Sequence, residues 1–229
     1  MVAINQSSSA LNTTNQLTNR RDQEDERVAS GRRINRAADD PAGLQISERL
    51  TAEINQSSQL RTNAQDQINA NAVQEGQFSA INDNLQRANE LAVQAGNPLA
   101  DSDAIQGELD QITEQVNTLA EEALGNPNLL SGVNANDPSA AQDAINTALS
   151  TINEQSAAVG ADSNALSSQV STYQAEVVNV SEGRSRTQDT DVASTSANQQ
   201  QLDVLVRASI TAQRDDEDAR RGVLIDQIV

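Results

Sequence analysis

From Ile145 to Val180 the seam residues step by four and three without a skip: Ile145, Leu149, Ile152, Ser156, Val159, Ser163, Leu166, Val170, Tyr173, Val177 and Val180. That alternation, sustained over five heptads, is the period of an α-helix whose apolar edge faces another helix. Ser156 and Ser163 are small polar lapses in the seam, and Gly160 beside them costs about 1 kcal/mol relative to Ala. A stripe this long cannot be buried by its own helix. It requires other helices, from the same chain or from another copy.

Two more stripes are present. Ile105, Leu109, Ile112, Val116, Leu119 and Ala123 repeat the same spacing. Asp101-Ser102-Asp103 puts acid at the expected start, where the helix dipole favours it, and Gly125-Asn126-Pro127 ends the run. Between Pro41 and Pro98 lie Leu50, Ile54, Ala64, Ile68, Phe78, Ile81, Leu85, Ala88 and Leu91, a helical stripe with gaps at Ser57, Asn71 and Glu75. At ~1.5 Å per residue this helix reaches roughly 75–80 Å. The flanking ends, 1–36 and 190–229, are helix-compatible but sparsely apolar. They are expected to be labile or disordered in the isolated chain and to order on association.

Composition removes most enzymology. The 229 residues contain no His, Cys or Trp, all fifteen cations are Arg, and the aromatics are Phe78 and Tyr173. There is no thiolate or imidazole, no zinc site of the usual ligands, and no lysine for a Schiff base or a phosphate loop. Asp39-Asp40, Asp101/Asp103 and Asp189/Asp191 lack the full spacing of a calcium loop and read better as helix caps or Arg partners. No catalytic, cofactor or metal residues are expected. The excess of acid argues against a nucleic-acid partner, and no apolar run is long enough for a membrane span. Met1–Gln6 has no basic region followed by an apolar run, so no Sec-type signal peptide is expected.

The net charge of −18 is unevenly placed. Residues 1–61 carry eight Arg and eight acids, and residues 184–229 carry six Arg and eight acids. Residues 62–183 carry Arg87 alone against seventeen acids. Matched ends and a self-repelling middle suggest that the termini associate and the middle faces water.

Three blocks carry a resemblance. ASGRRINRAADDPAGLQIS at 29–47, NLQRANELAVQAGN at 84–97 and GRSRTQDTDVAS at 183–194 resemble, in order and placement, the signature segments of bacterial flagellin. In the third block Ser185, Arg186, Asp189 and Asp191 are in register, with Thr187 where an Ile is typical. The resemblance implies an all-α fold with at most a small β-hairpin: a long antiparallel helical bundle or coiled coil with paired N- and C-terminal helices. The implied domains are 1–36 and 187–229, the two halves of an inner coiled coil, and 37–186, a helical outer-core domain. Only the short loop at 125–138 occupies the place of the family's outer domains, and Asn128–Val133 is a possible hairpin remnant.

The function implied is a structural subunit that self-assembles into the flagellar filament for motility. It would be exported through the flagellar type III channel and reside outside the cell. Implied partners are other copies of the chain, the flagellar cap, junction proteins and an export chaperone. Arg32, Asn35, Asp39, Asp40, Arg87, Glu90, Arg186 and Asp189 are the expected subunit-interface residues. The second block is also the segment read by the innate immune receptor for flagellin. Here Asn89 stands where the family commonly has a second Arg, which counts against that recognition. A hook–filament junction protein and a secreted, non-polymerising coiled-coil effector are the alternatives.

Two mixed-charge blocks depart from the family pattern. Arg20, Arg21, Glu24 and Arg27 lie in one, and Arg214, Asp215, Glu217 and Arg220 in the other. Either they form cross-helix Arg–carboxylate pairs in the filament, or both are solvated faces lining the channel. The anionic middle would make a wall that repels its neighbours, so assembly in saline surroundings is expected.

Overall fold

The computed structural model describes residues 2–226, with side-chain environments from Leu11 to Asp218. It contains five helices: α1 Val2–Ser30, α2 Pro41–Ala95, α3 Ser102–Leu124, α4 Pro138–Gln188 and α5 Val192–Asp226. The helix starts follow one rule. Asp40, Asp101, Asp137 and Asp191 each stand before a helix and accept backbone N–H groups, from Gly43 (2.8 Å), Ala104 (3.2 Å), Ala140 (3.1 Å) and Ser194 (3.2 Å). A capping carboxylate satisfies an orphan donor and meets the positive end of the helix dipole. Pro41 and Pro138 occupy the first helical position, where the missing N–H costs nothing. The carboxylates that first suggest a cation at Asp40, Asp101 and Asp191 are thus capping groups.

The chain forms two compact units, residues 56–176 and residues 1–55 with 177–229. The expected boundaries after 36 and 186 fall at the turns flanking α2 and α4, whereas the units divide further along those two helices.

In the 56–176 unit, α2, α3 and α4 bury a common apolar core of Phe78, Ile81, Leu85, Leu109, Val116, Ile145 and Ile152. All nine expected stripe residues of α2 are buried or half-buried. The supposed gaps are more informative. Ser57, Ala64, Asn71, Phe78, Leu85 and Ala92 recur every seven residues, and all six are buried. Ser57 and Asn71 therefore belong to the seam. Asn71 Nδ2 donates to Asp162 Oδ2 (2.8 Å) and Ser163 Oγ (3.2 Å) on α4. A single polar residue at a seam position penalises axial slip, because a shifted helix would leave it unpaired.

No strand is present among the described residues, so the hairpin remnant near 128–133 is not formed. Side chains of α3 do the work of a partner strand. Asn117 donates to the Leu130 carbonyl (2.8 Å) and accepts from its N–H (2.9 Å). Gln106 accepts from the Ala135 N–H (2.7 Å). These bonds seat Leu130 and Ala135 in the apolar core.

In the other unit, α1 and α5 run antiparallel. Thr14 meets Ser209 and Gln213, Arg21 approaches Asp203, and Asp25 accepts from Gln199. Both ends, expected to lack structure in an isolated chain, are helices held largely by polar contacts. Val206 is the only buried apolar side chain on α1 or α5 among the described residues.

Candidate assembly interface

The first and third signature blocks meet in space as two adjacent turns. Gly31, at φ +67°, ends α1 in the left-handed conformation. The chain then makes an isolated antiparallel bridge between Arg32 and Asp189. The Thr190 N–H donates to the Gly31 carbonyl (3.0 Å), and the Arg33 N–H to that of Gln188 (2.7 Å). Arg33 Nη2 adds a bond to the Thr187 carbonyl (2.7 Å). Ile34, fully buried, plugs the turn.

Gly43 makes this packing possible. A Cβ there would sit 2.6 Å from Ile34 Cδ1 and 2.5 Å from Asp40 Oδ2. Asp39 Oδ2 accepts the N–H groups of Asn35 and Arg36, both at 3.0 Å, and Asn35 Nδ2 donates to the Arg32 carbonyl (3.3 Å). These donors, Asn35 first and then Arg36, hold the Asp39 carboxyl below the ordinary aspartate value. Ser185 Oγ donates to Asp189 Oδ2 (2.5 Å), and Arg186 pairs with Glu182 one helical turn back.

Of the expected interface residues, then, Asn35, Asp39, Asp40 and Asp189 are engaged in building the turns. The Arg32 side chain is exposed and makes no ion pair among the described residues. The Arg33, Ile34 and Gly43 contributions were not singled out from sequence. Gly43 had a signal there, lying three residues after a capping Asp and next to an apolar plug.

Arg87 and Glu90 lie on α2 in the other unit. Arg87 bridges Glu90 (3.2 Å) and Glu108 of α3 (2.9 Å), and these two carboxylates raise its pKa, Glu108 contributing first. Glu108 is the partner the sequence did not indicate. All three side chains are exposed, so the cluster fixes orientation more than stability.

The charge block of α1 divides by face. Arg21 turns toward Asp22, Asp25 and Asp203. Arg20, Gln23, Glu24 and Arg27 form the opposite edge of a groove of about 590 Å³, completed on α5 by Asn198, Gln201, Leu202 and Leu205. Within the groove wall Arg27 pairs with Glu24 (2.8 Å). The register of α1 against α5 sets Arg20–Arg27 alongside about residues 197–204, so the two mixed-charge blocks do not face each other within one chain. Arg214, Asp215 and Glu217 are exposed, while the Arg220 side chain lies outside the described residues.

Comparison with known proteins places both signature turns within matched regions. Residues 2–135 match the bacterial flagellin N-terminal helical region, and residues 142–214 match the bacterial flagellin C-terminal helical region. The chain belongs to the bacterial flagellin family. Similar flagellins include that of Clostridium tyrobutyricum, 40% identical over 114 residues, which cover 48% of this chain and 30% of the relative. The flagellar filament 41 kDa core protein of Borreliella burgdorferi is 41% identical over 101 residues, 43% of this chain and 30% of the relative. A flagellin of Salmonella typhimurium is 40% identical over 120 residues, 51% of this chain and 22% of the relative. The matched stretches thus span less than a third of these flagellins' own length.

Proposed function

We propose that the chain is a structural subunit that self-assembles into the extracellular filament of the bacterial flagellum. The observation that carries this reading is the pairing of the chain's two ends. In α1 and α5, helices of 29 and 35 residues lie antiparallel but bury little apolar surface, leaving Leu11, Val204, Leu205 and Ile210 exposed. Apolar stripes left open on a helix pair gain most when further copies cover them. Family membership supports the same conclusion, as does the name of one relative, a flagellar filament core protein.

In this reading Arg32, Arg87 and Glu90 contact neighbouring subunits. Asn35, Asp39, Asp40 and Asp189 act by holding the paired turns in shape, and the exposed Arg186, paired with Glu182 on its own helix, is a further contact with neighbouring subunits. The cap, the junction proteins and an export chaperone are further partners. The anionic 62–183 segment forms the self-repelling wall, so assembly improves as salt shortens the Debye length from about 10 Å at 0.1 M to about 3 Å at 1 M.

Electron microscopy of the purified chain, seeded with sheared filaments across a salt series, tests the reading. Long filaments of uniform diameter, more abundant at higher salt, are expected. A chain that stays monomeric at every salt concentration would overturn it in favour of a junction subunit or a non-polymerising effector.

A further inference from the structure

The α1/α5 groove is built from two matching helical stripes. Arg20, Gln23, Glu24 and Arg27 stand at i, i+3, i+4 and i+7 on α1, and Asn198, Gln201, Leu202 and Leu205 repeat that spacing on α5. Such a trough between two helices has the shape that accepts a third helix. Its floor is apolar at Leu202 and Leu205. Its α1 wall presents a fixed charge order, because Arg21 faces Asp203 and Asp25 faces Gln199. Arg20 is therefore level with about residue 204, and Glu24 with about residue 200. Arg20 makes no ion pair among the described residues, although its neighbour Arg21 is surrounded by three carboxylates.

A segment with the complementary order lies further along α5. Ile210, Arg214 and Glu217 occupy one face at i, i+4 and i+7, followed by Asp218, and all four are exposed. This segment cannot reach the groove of its own chain, since it continues the same straight helix that forms the groove's α5 wall. It can reach the groove of another copy.

We infer that the 210–218 face of α5 docks into the α1/α5 groove of a second copy of this chain, parallel to that copy's α5 and displaced by about thirteen residues toward its N-terminus. The displacement amounts to about 20 Å at ~1.5 Å per residue. Glu217 then lies beside Arg20, Arg214 beside Glu24, and Ile210 along the methylene stem of Arg27, with Leu202 and Leu205 beneath. The arrangement is heterologous, so it propagates from copy to copy and does not close on a dimer. It rests on the filament reading and gives the two charge blocks a shared role between copies.

The absence of cysteine makes a clean test possible. L205C and E217C chains, distinguished by tags, are co-assembled at the salt where wild type polymerises, then treated with a short bis-maleimide. The expected result is a dominant cross-link between the two variants, with little when L99C replaces E217C. R20E and E217R each raise the concentration needed for assembly by about three- to five-fold, the range open to one exposed ion pair. The R20E/E217R double variant returns to within about two-fold of wild type. Circular dichroism on each variant reports whether its helices persist.

Co-polymers of the L205C and E217C chains that form without the cross-link, or a double variant no better than the singles, would overturn the docking while leaving the filament reading in place. Wild type that never assembles overturns both.

Discussion

The two compact units solve the same problem, burying helical stripes, with opposite means. Residues 56–176 use three helices and an apolar interior in which Phe78, Ile81, Leu85, Leu109, Val116, Ile145 and Ile152 are all within 2% of full burial. The α1/α5 pair uses two helices and polar links such as Gln213 to Thr14 and Gln199 to Asp25. Three helices can enclose a stripe on all sides; two cannot. The first unit encloses its core within one chain, although Leu60, Val73, Val93 and Leu99 remain exposed on it, whereas the second has an open trough as well as exposed apolar side chains to offer to other copies. Its stability is expected to depend on protomer concentration.

The sharpest break in the comparison comes from core truncation. Phe78→Ala or Leu85→Ala should cost about 2–5 kcal/mol, as large-to-small changes in a closed core do. Val206→Ala, in the pair, should cost only about 1–2 kcal/mol through the lost methyl groups. Thermal unfolding of the monomer followed by circular dichroism checks both. Equal effects would mean that α1/α5 is as closed as the three-helix core.

Next in size is Gly43→Ala. The added methyl group collides with Ile34 and Asp40, and overpacking of this kind costs about 1–3 kcal/mol. Gly76→Ala, on the same helix with open space around it, should instead stabilise by up to about 1 kcal/mol. The contrast between these two alanines separates the turn's steric demand from helix propensity.

Capping gives a smaller and more uniform effect. Asp101→Ala and Asp191→Ala should each cost about 0.5–2 kcal/mol, one in each unit. Hydrogen exchange at the first turns of α3 and α5 localises the loss.

The smallest effect is on pH dependence. The Asp39 carboxyl titrates lower in the folded chain than its ordinary value of 3.8 because two backbone N–H groups hold it. Its contribution is therefore fully present above pH ~4 and lost as pH falls through the folded value. Asp39→Asn should remove this contribution at neutral pH, flatten the acid limb of the stability profile, and leave the stability below the folded value nearly unchanged.

Much of this was legible beforehand because helices are local. Spacing of three and four fixes a helix face whatever the partner, so the stripes of α2 and α3 lie on buried or half-buried faces, while that of α4 is buried at Ile145 and Ile152 and only half-buried beyond them. Asp and Pro at the helix starts act within one turn, and they too could be read directly. Asn71 reads as a gap in sequence, since polarity at a seam position is interpretable only when the facing residues, here Asp162 and Ser163, are known. The hairpin failed for a similar reason. Nothing local in Asn128–Val133 reveals that amides of Asn117 and Gln106, a helix away, take its backbone bonds.

Sequence by itself determined the helices α2, α3 and α4, the acid at the start of α3, the uneven charge and the family. The tertiary structure alone decided the register: that Arg21 faces Asp203, that Arg20 is left beside an open groove, and that the two charge blocks pass each other within one chain. Helix formation is set by residues within a turn of each other, so a linear pattern contains it. Register depends on contacts between residues nearly two hundred positions apart, such as Thr14 and Ser209, and no local pattern specifies which of several equally spaced alignments wins.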